Sequence, residues 1–448
     1  MDTFSSLRTE QREAIGLLSI GTFLEYFDLM LYVHMAVLLN SLFFPKTDPH
    51  TASLLSAFAF CSTYLLRPIG ALVFGYIGDT MGRKATVVIT TAMMSISCAV
   101  MANLSTYDQI GIAAAWIVTI CRIVQGMSSM GEITGAQLFL CETIKPPMRY
   151  SAVALLAFAV SIGTFAALGV ASLVTSYAFN WRLAFWLGAL IAIIGAIART
   201  RLRETPEFIN AKHRIKNKMK NLNLDVEKLE KSHIFQENVN KKTTFMLFIM
   251  DCMWPLCFYF SYVHCGQILK HSFNYTPEQI IHQNFIVSIV QLISCFAFSL
   301  LCYRIYPLII IKIKLFISFI IVAMCPYWLN NMHSEFYILL LQSAIIFFAC
   351  DAAPITSIFY KYFPVFKRFT YISFIYALSR ALTYLITSFG FVYLVKYFGN
   401  NGVLVIMIPI CIGYAFGLRY FQNLEKSDLS NKNNLEDIDY NTRLQPDP

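Results

Sequence analysis

Ionisable side chains interrupt several long apolar stretches of this 448-residue sequence. Within the hydrocarbon core of a membrane, each such side chain costs roughly 2.5 to 3.5 kcal/mol, so those that occur there usually serve a function. We take the charged residues of these stretches as the candidates for chemistry. They are Glu25, Asp28, Arg67, Arg122, Glu132, Asp251, Asp351 and Arg380.

The spacing of three and four residues between Glu25, Asp28 and Tyr32 places these side chains on one face of a helix. The rise of a helix puts both Glu25 and Arg122 about 15 to 20 Å into a bilayer, so they can meet. A buried carboxylate beside a cation can load and release a proton as its surroundings change. The alternative is a buried ion pair that only joins two helices.

Glu132 is a second candidate for a proton carrier, because it shares a helix face with Gln125 seven residues earlier. Arg122 is then the cation that binds a substrate carboxylate. Arg67 lies nearer a helix end, where its side chain can extend to the membrane surface.

In the second half of the chain, Asp251 is a candidate partner for a cation, and Asp351 is expected to pair with Arg380. Aromatic side chains in this half suggest either a cage for a quaternary ammonium group or the aromatic belt of a membrane interface. They are Trp254, Tyr259, Tyr262 and Trp328.

The composition is that of a membrane protein, with 57% hydrophobic and 14% charged residues. These values exclude a soluble enzyme, a disordered chain and a disulfide scaffold, and the continuous apolar runs exclude a transmembrane β-barrel. Most of the 12 cysteines lie in apolar runs without metal-ligand spacing. We therefore expect no metal and no cofactor. The net charge of +9 is distributed over loops, so it does not indicate nucleic acid.

Apolar runs long enough to span a bilayer predict an all-α membrane protein of twelve transmembrane helices. The predicted ranges are 14–43, 52–77, 84–103, 109–140, 151–178, 183–199, 244–269, 279–302, 308–329, 335–360, 370–395 and 402–421. The first run is too long, and too polar at Glu25 and Asp28, for a cleavable signal peptide, so it is retained.

The predicted organisation is two six-helix halves, at 1–200 and 244–421, joined by a charged linker at 201–243 and followed by a tail at 422–448. A weak repeat supports it, since Arg149 and Arg368 stand just before the fifth and eleventh helices. Of the 35 lysines and arginines, only Lys46, Arg182 and Lys270, with Lys396, fall in the loops assigned to the outside. Both termini are therefore expected in the cytoplasm.

The loop between the second and third helices carries a glycine-rich charged motif that begins at Gly75, preceded by the Arg67-Pro68-Ile69-Gly70 segment. Its glycines allow a tight turn, while the acid can lie at a helix N-terminus and the basic pair can anchor the turn to anionic lipid. The expected gating residues are Arg67, Gly75, Asp79, Gly82, Arg83 and Lys84. The motif resembles the loop signature of the major facilitator superfamily.

Further segments are similar to the metabolite:proton symporter family, which includes proline/betaine and 2-oxoglutarate transporters. They are Gly21 to Asp28, Arg122 to Gly126 with Gly131-Glu132, and Arg203 to Phe208. The resemblance is dense over residues 14 to 210. The second half departs from it, because the segment from Cys302 to Pro307 lacks the aspartate and glycines of a second loop signature.

The resemblance implies a carrier rather than an enzyme, in which a small substrate and a proton cross together as the halves rock around a midplane site. A zwitterion such as proline or betaine is the first expectation. A dicarboxylate, which needs a second cation, is the next, and a non-transporting sensor is the rival that the diverged second half suggests. A monomer in a bacterial inner membrane is expected, without a coiled coil in the tail.

Overall fold

The computed structural model describes residues 9–45, 58, 61–81, 83–129, 133–176, 180–199, 239–332, 334–351 and 353–443. Within these ranges the chain is helical, with no β-strand. The predicted linker at 201–243 lies almost wholly outside the described residues. The predicted tail is described to Arg443.

The N-terminal half contains six helical segments in the predicted order. They are α1 (Thr9–Phe43), α2 (Arg67–Thr80), α3 (Arg83–Asn103), α4 in two parts (Ile112–Ser128 and Ile133–Thr143), α5 (Met148–Ser176) and α6 (Arg182–Arg199). Seven helices of the described chain are long and apolar enough to cross a membrane, and four of these lie in the C-terminal half. The all-α membrane fold is thus confirmed.

The C-terminal half repeats this arrangement with more irregular helices. They are α7 (Lys241–Asp251, Met253–Phe258, the π-helical turn Tyr259–His264 and Cys265–Ser272), α8 (Pro277–Arg304), α9 (Pro307–Asn330), α10 (Glu335–Phe348 and Ala353–Phe359), α11 (Val365–Phe398) and α12 (Gly402–Arg443). α12 continues well past its predicted end at 421, because no glycine or proline occurs between that position and Arg443 to stop it.

Two helix pairs join the halves: α5 packs along α8, and α2 packs along α11. Small residues permit these close approaches, as is common between membrane helices. A Cβ atom at Gly75 would lie 2.9 Å from Cα of Thr370 on α11, and a Cβ at Gly126 of α4 would strike the backbone carbonyl of Thr63, just before α2. Gly75 thus contributes to the interface between the halves.

A buried ion pair crosses between the halves at the end where α5 and α11 begin. Nη1 of Arg368 lies 3.2 Å from Oε1 of Glu142, and the two side chains are 12% and 1% exposed. Close by, the Tyr360 hydroxyl donates a hydrogen bond of 2.9 Å to Oε1 of Gln137. We call these two contacts the latch.

The predicted repeat is visible in the backbone contacts of two arginines. Nε of Arg149 donates to the carbonyl of Ile144 at 2.6 Å, and Nε of Arg368 donates to the carbonyl of Phe363 at 3.0 Å. In each case the acceptor lies five residues earlier, so the two side chains close the turn before α5 and the turn before α11 in the same way.

The extension of α12 packs at this same end, beside the loop that lacks a second signature. The Tyr306 hydroxyl is hydrogen bonded to Glu425, and burial together with this carboxylate raises the pKa of Tyr306 above its usual value. The Tyr306 ring contacts that of Tyr150 edge-on, with centroids 5.9 Å apart. Lys361 and Asp428 form an exposed ion pair of 3.1 Å.

The close approach at Gly126 predicts that Gly126→Ala destabilises the protein by about 1 to 3 kcal/mol, because overpacking there must move backbone. The matched control is Gly16→Ala, since a Cβ at Gly16 meets no atom within 4 Å. Thermal unfolding of the purified protein in detergent measures both. Equal melting temperatures for the two variants would contradict the described packing.

The latch predicts a contrast between two ion pairs. Glu142→Gln leaves Arg368 partly buried without its carboxylate, at a cost of about 3 to 5 kcal/mol, whereas Asp428→Asn removes an exposed pair worth at most about 1 kcal/mol. We expect only the first change to lower the melting temperature and to speed alkylation of the adjacent, buried Cys141, followed by mass spectrometry. Similar effects of both changes would exclude a latch at Glu142.

Candidate functional site

A cavity lies between the two halves, and we call it the central cavity. Helices α1, α2 and α5 of the first half and α7, α8 and α11 of the second half form its wall. The polar and aromatic side chains that line it are Tyr26, Tyr64, Arg67, Thr164, Trp254, Phe258, Gln291, Arg380 and Tyr384. Such a site at the repeat interface is where secondary transporters bind substrate.

Two arginines, one from each half, line this cavity. Arg67 is 2% exposed, and its guanidinium carbon lies 4.2 Å from the ring centroid of Tyr64. Arg380 is 8% exposed and lies 3.2 Å from the ring centroid of Tyr376. The rings of Tyr64 and Tyr384 are 4.3 Å apart, which brings the two stacks together across the interface.

The guanidinium group of Arg67 retains capacity for a ligand. Its Nε and Nη2 atoms are buried, and they have no hydrogen-bond partner among the described residues. The prediction that Arg67 extends to the membrane surface is wrong, because its side chain turns into the interface, where the Tyr64 ring takes the place of water.

Tyrosine hydroxyls connect α1 to α11 beside the cavity. The hydroxyls of Tyr26 and Tyr376 share a hydrogen bond of 2.8 Å, and the carboxylate of Glu25 lies near enough to interact electrostatically with both. The ring of Tyr376 in turn forms a cation–π contact with the guanidinium of Arg380. Glu25 is therefore linked to Arg380 through two tyrosines.

Asp251 of α7 is buried, and its carboxylate interacts electrostatically with the guanidinium of Arg380. Asp351 does not form the predicted ion pair with Arg380: it lines a different cavity, together with Lys314 of α9. The helical break between the two parts of α10 displaces Asp351 from the face that a continuous helix would present.

A second polar cluster lies inside the N-terminal half. The guanidinium carbon of Arg122 lies 4.1 Å from the ring centroid of Tyr32, and Nη1 donates to Oε1 of Gln125 at 2.8 Å. Nε2 of Gln125 donates to Sγ of Cys98 at 3.4 Å, and this thiol is also hydrogen bonded to Asp28.

None of the members of this cluster lines the central cavity. In the described chain, Arg122 contacts Tyr32 and Gln125 rather than Glu25, so the predicted meeting of Glu25 with Arg122 is not observed. The physical reason is position along α1: the Tyr32 ring covers the cation, and Tyr32 lies seven residues, or about two helical turns, after Glu25.

Several candidates cannot be placed. Glu132 and Gly82, together with the side chains of Asp79, Arg83 and Lys84, lie outside the described residues.

Of the four aromatic residues considered for a cage, only Trp254 lines the central cavity. Tyr262 donates to Oε1 of Gln291 at 2.8 Å, while Tyr259 packs against Phe391 with ring centroids 6.0 Å apart. Trp328 lies on α9, away from the cavity. A four-membered cage is thus not formed.

Sequence reasoning missed the tyrosines that hold the arginines. Tyr64 precedes Arg67 by three residues, and Tyr376 and Tyr384 flank Arg380 by four on either side. A tyrosine three or four positions from an arginine within an apolar helix is a readable signal, because such pairs share a face. Within the described residues, no cluster of three or more metal-ligating side chains occurs.

Curated transport proteins are among the proteins to which this chain is similar. The E. coli K12 proline/betaine transporter is 35% identical to this chain over 204 residues, which is 44% of this chain and 41% of the transporter. An inner membrane metabolite transport protein of E. coli K12, YhjE, is 38% identical over 197 residues, or 42% and 45% of the two chains. The chain thus matches less than half the length of these curated relatives.

Two solved structures share the fold. The proton:xylose symporter XylE bound to 6-bromo-6-deoxy-D-glucose superimposes with a TM-score of 0.74 at 15% identity, covering 93% of this chain and 96% of that one. The human organic anion transporter MFSD10 superimposes with a TM-score of 0.69 at 14% identity, covering 92% and 100%.

The sequence model of the Major Facilitator Superfamily matches residues 18–382. This match extends far beyond the N-terminal half, to which the sequence motifs were confined. The chain belongs to the Major Facilitator Superfamily.

Proposed function

We propose that this chain imports a small metabolite bearing a carboxylate, together with a proton, by alternating access of the central cavity. The observation that carries the proposal is the pair of buried arginines, Arg67 and Arg380, on opposite walls of that cavity. A fixed cation from each half allows one bound anion to hold the halves together and to change their equilibrium.

Guanidinium groups suit carboxylates because their planar N–H donors match both carboxylate oxygens. The stacks on Tyr64 and Tyr376 fix the planes of the two groups, so little side-chain entropy is lost on binding. The arginines of the central cavity replace Arg122 as the proposed carboxylate ligands, since Arg122 does not line it.

A zwitterion such as proline or betaine is the leading candidate. The faces of Trp254, Phe258 and Tyr384 line the same cavity and can accept its positive end through cation–π contact. The names of the relatives support this choice. A dicarboxylate of the 2-oxoglutarate type is the second candidate, and the presence of two arginines rather than one favours it.

Two acids are connected to the cavity through Arg380: Glu25 by way of Tyr26 and Tyr376, and Asp251 directly. Glu25 is the leading candidate for the proton, because its neighbour Tyr26 lines the cavity. Asp28 and Asp251 are buried alternatives, and Glu132 remains a candidate from its position in the sequence. A zwitterion with one proton carries one net charge, and a potential of 100 mV then supplies about 2.3 kcal/mol, which is roughly 40-fold accumulation.

We further propose that the termini and the latch face the cytoplasm of a bacterial cell, that the membrane is the inner one and that the unit is a monomer. Arg368 and Lys361 lie at this end, in agreement with the excess of positive charge on the cytoplasmic side. The closed latch then corresponds to a state sealed toward the cytoplasm.

Counterflow of labelled proline, betaine and 2-oxoglutarate in proteoliposomes tests the substrate. We expect Arg67→Gln and Arg380→Gln each to lower counterflow about 10-fold or more, since a hydrogen bond to a charged group contributes about 1.5 to 3 kcal/mol. Arg304→Gln, at an exposed site, is the matched control. A lack of exchange with all three solutes would favour the non-transporting sensor.

Proton coupling is tested by uptake with and without an imposed pH gradient. We expect Glu25→Gln to abolish the response to the gradient while counterflow of solute persists, with Asp28→Asn and Glu132→Gln as parallel variants. Glu278→Gln, at the exposed start of α8, is the control. If the unmodified protein reaches the same final level of solute after a protonophore has been added, symport is excluded.

A further inference from the structure

A second cavity lies beside the central cavity, and the proposed transport site does not use it. Its wall includes Lys314 of α9 and Asp351 of α10. Trp254 and Gln291 line both cavities, so the two spaces are neighbours. We call the second space the Lys314 cavity.

The position of the Lys314 cavity follows from the order of residues along α5. Val160 and Thr164 line the central cavity, whereas Ala154 and Ala157 line the Lys314 cavity. A shift of about six residues along a helix is about 9 Å. The Lys314 cavity is therefore nearer to the start of α5, which on the proposed topology is the cytoplasmic end.

Lys314 is a buried cation with unused hydrogen-bonding capacity. It is 7% exposed, and its Nζ lies 4.1 Å from the ring centroid of Phe298. In the part of the chain that the structure describes, no carboxylate forms an ion pair with it. An ammonium group at this depth is costly unless it serves a ligand or a partner.

The serine hydroxyls and the Gln291 amide on the wall already have partners. The hydroxyls of Ser294 and Ser299 donate to backbone carbonyls at 2.9 and 3.1 Å. The amide nitrogen of Gln291 donates to the hydroxyl of Ser161 at 3.4 Å. Lys314 is the cation among the residues that line this cavity, so an anionic ligand can engage it.

We propose that the Lys314 cavity is a second binding station for the carboxylate group of the transported solute, occupied between the central cavity and the cytoplasmic end. This inference rests on the proposed function. A lysine ammonium attracts an oxyanion as a compact point charge. Asp351 on the same wall repels the anion, which weakens the station, and a transit site must bind weakly enough to release its ligand.

The test compares Lys314→Met with Lys312→Met, because Lys312 is exposed two residues earlier on the same helix. The probes are labelled L-proline and 2-oxoglutarate, used with the full chain. We expect Lys314→Met to lower counterflow about 10-fold, while equilibrium binding to the detergent-solubilised protein changes less than about twofold, because the central cavity is intact. Lys312→Met should match wild type, and Lys314→Arg should retain most of the rate.

If the wild-type protein transports the probes, two outcomes would overturn the proposed binding station. One is a wild-type rate for Lys314→Met. The other is recovery of the rate in the double variant Lys314→Met/Asp351→Asn, which would indicate that the two side chains only form an ion pair in another state.

If wild type neither binds nor transports the two probes, the proposed function fails for them, and acetate still tests the station. We expect acetate, compared with its neutral analogue acetamide, to raise the melting temperature of wild type and Lys312→Met more than that of Lys314→Met. Equal shifts in all three proteins would overturn the proposal.

Discussion

A guanidinium group removed from water must find other groups to replace its hydration, and this constraint organises the interface between the two halves. Arg67 and Arg380 each meet it with a tyrosine ring from the same helix. The N–H groups of a guanidinium point outward in its own plane, whereas the stacked ring lies above that plane and accepts no hydrogen bond from them. N–H groups of Arg67 therefore remain without partners in the described structure. An anion that enters the central cavity supplies the hydrogen-bond acceptors that these N–H groups lack. On the proposed function, substrate binding and closure of the halves are then one event.

The helices could be predicted because the length of an apolar run is a local property. For α8 and α9 the predicted ranges of 279–302 and 308–329 differ by two residues or fewer at each end from the observed Pro277–Arg304 and Pro307–Asn330. The break in α10 was not predicted, because the apolar stretches on either side of it are together long enough for one continuous helix. A hydropathy argument detects where a chain enters the membrane, but it is insensitive to a turn that distorts the helix inside.

The site was less predictable than the fold, for a geometric reason. Arg67, Arg122 and Arg380 all stand in apolar helices, and sequence alone does not say which of them faces the other half. That depends on the rotation of each helix about its axis and on where it crosses its neighbours. Lys314 was overlooked for a related reason, since a lysine near the start of a helix ordinarily extends to the membrane surface.

The π-helical turn at Tyr259–His264 has a consequence for how α7 is shared among its neighbours. Before the turn, Lys241–Asp251 packs against α11 and α12; after it, Cys265–Ser272 packs against α8 and α10. One residue more per turn rotates everything downstream by about 100° about the axis. α7 therefore packs against two different sets of helices along its length. The π-helical turn between its two parts is where the helix can twist when one set moves relative to the other.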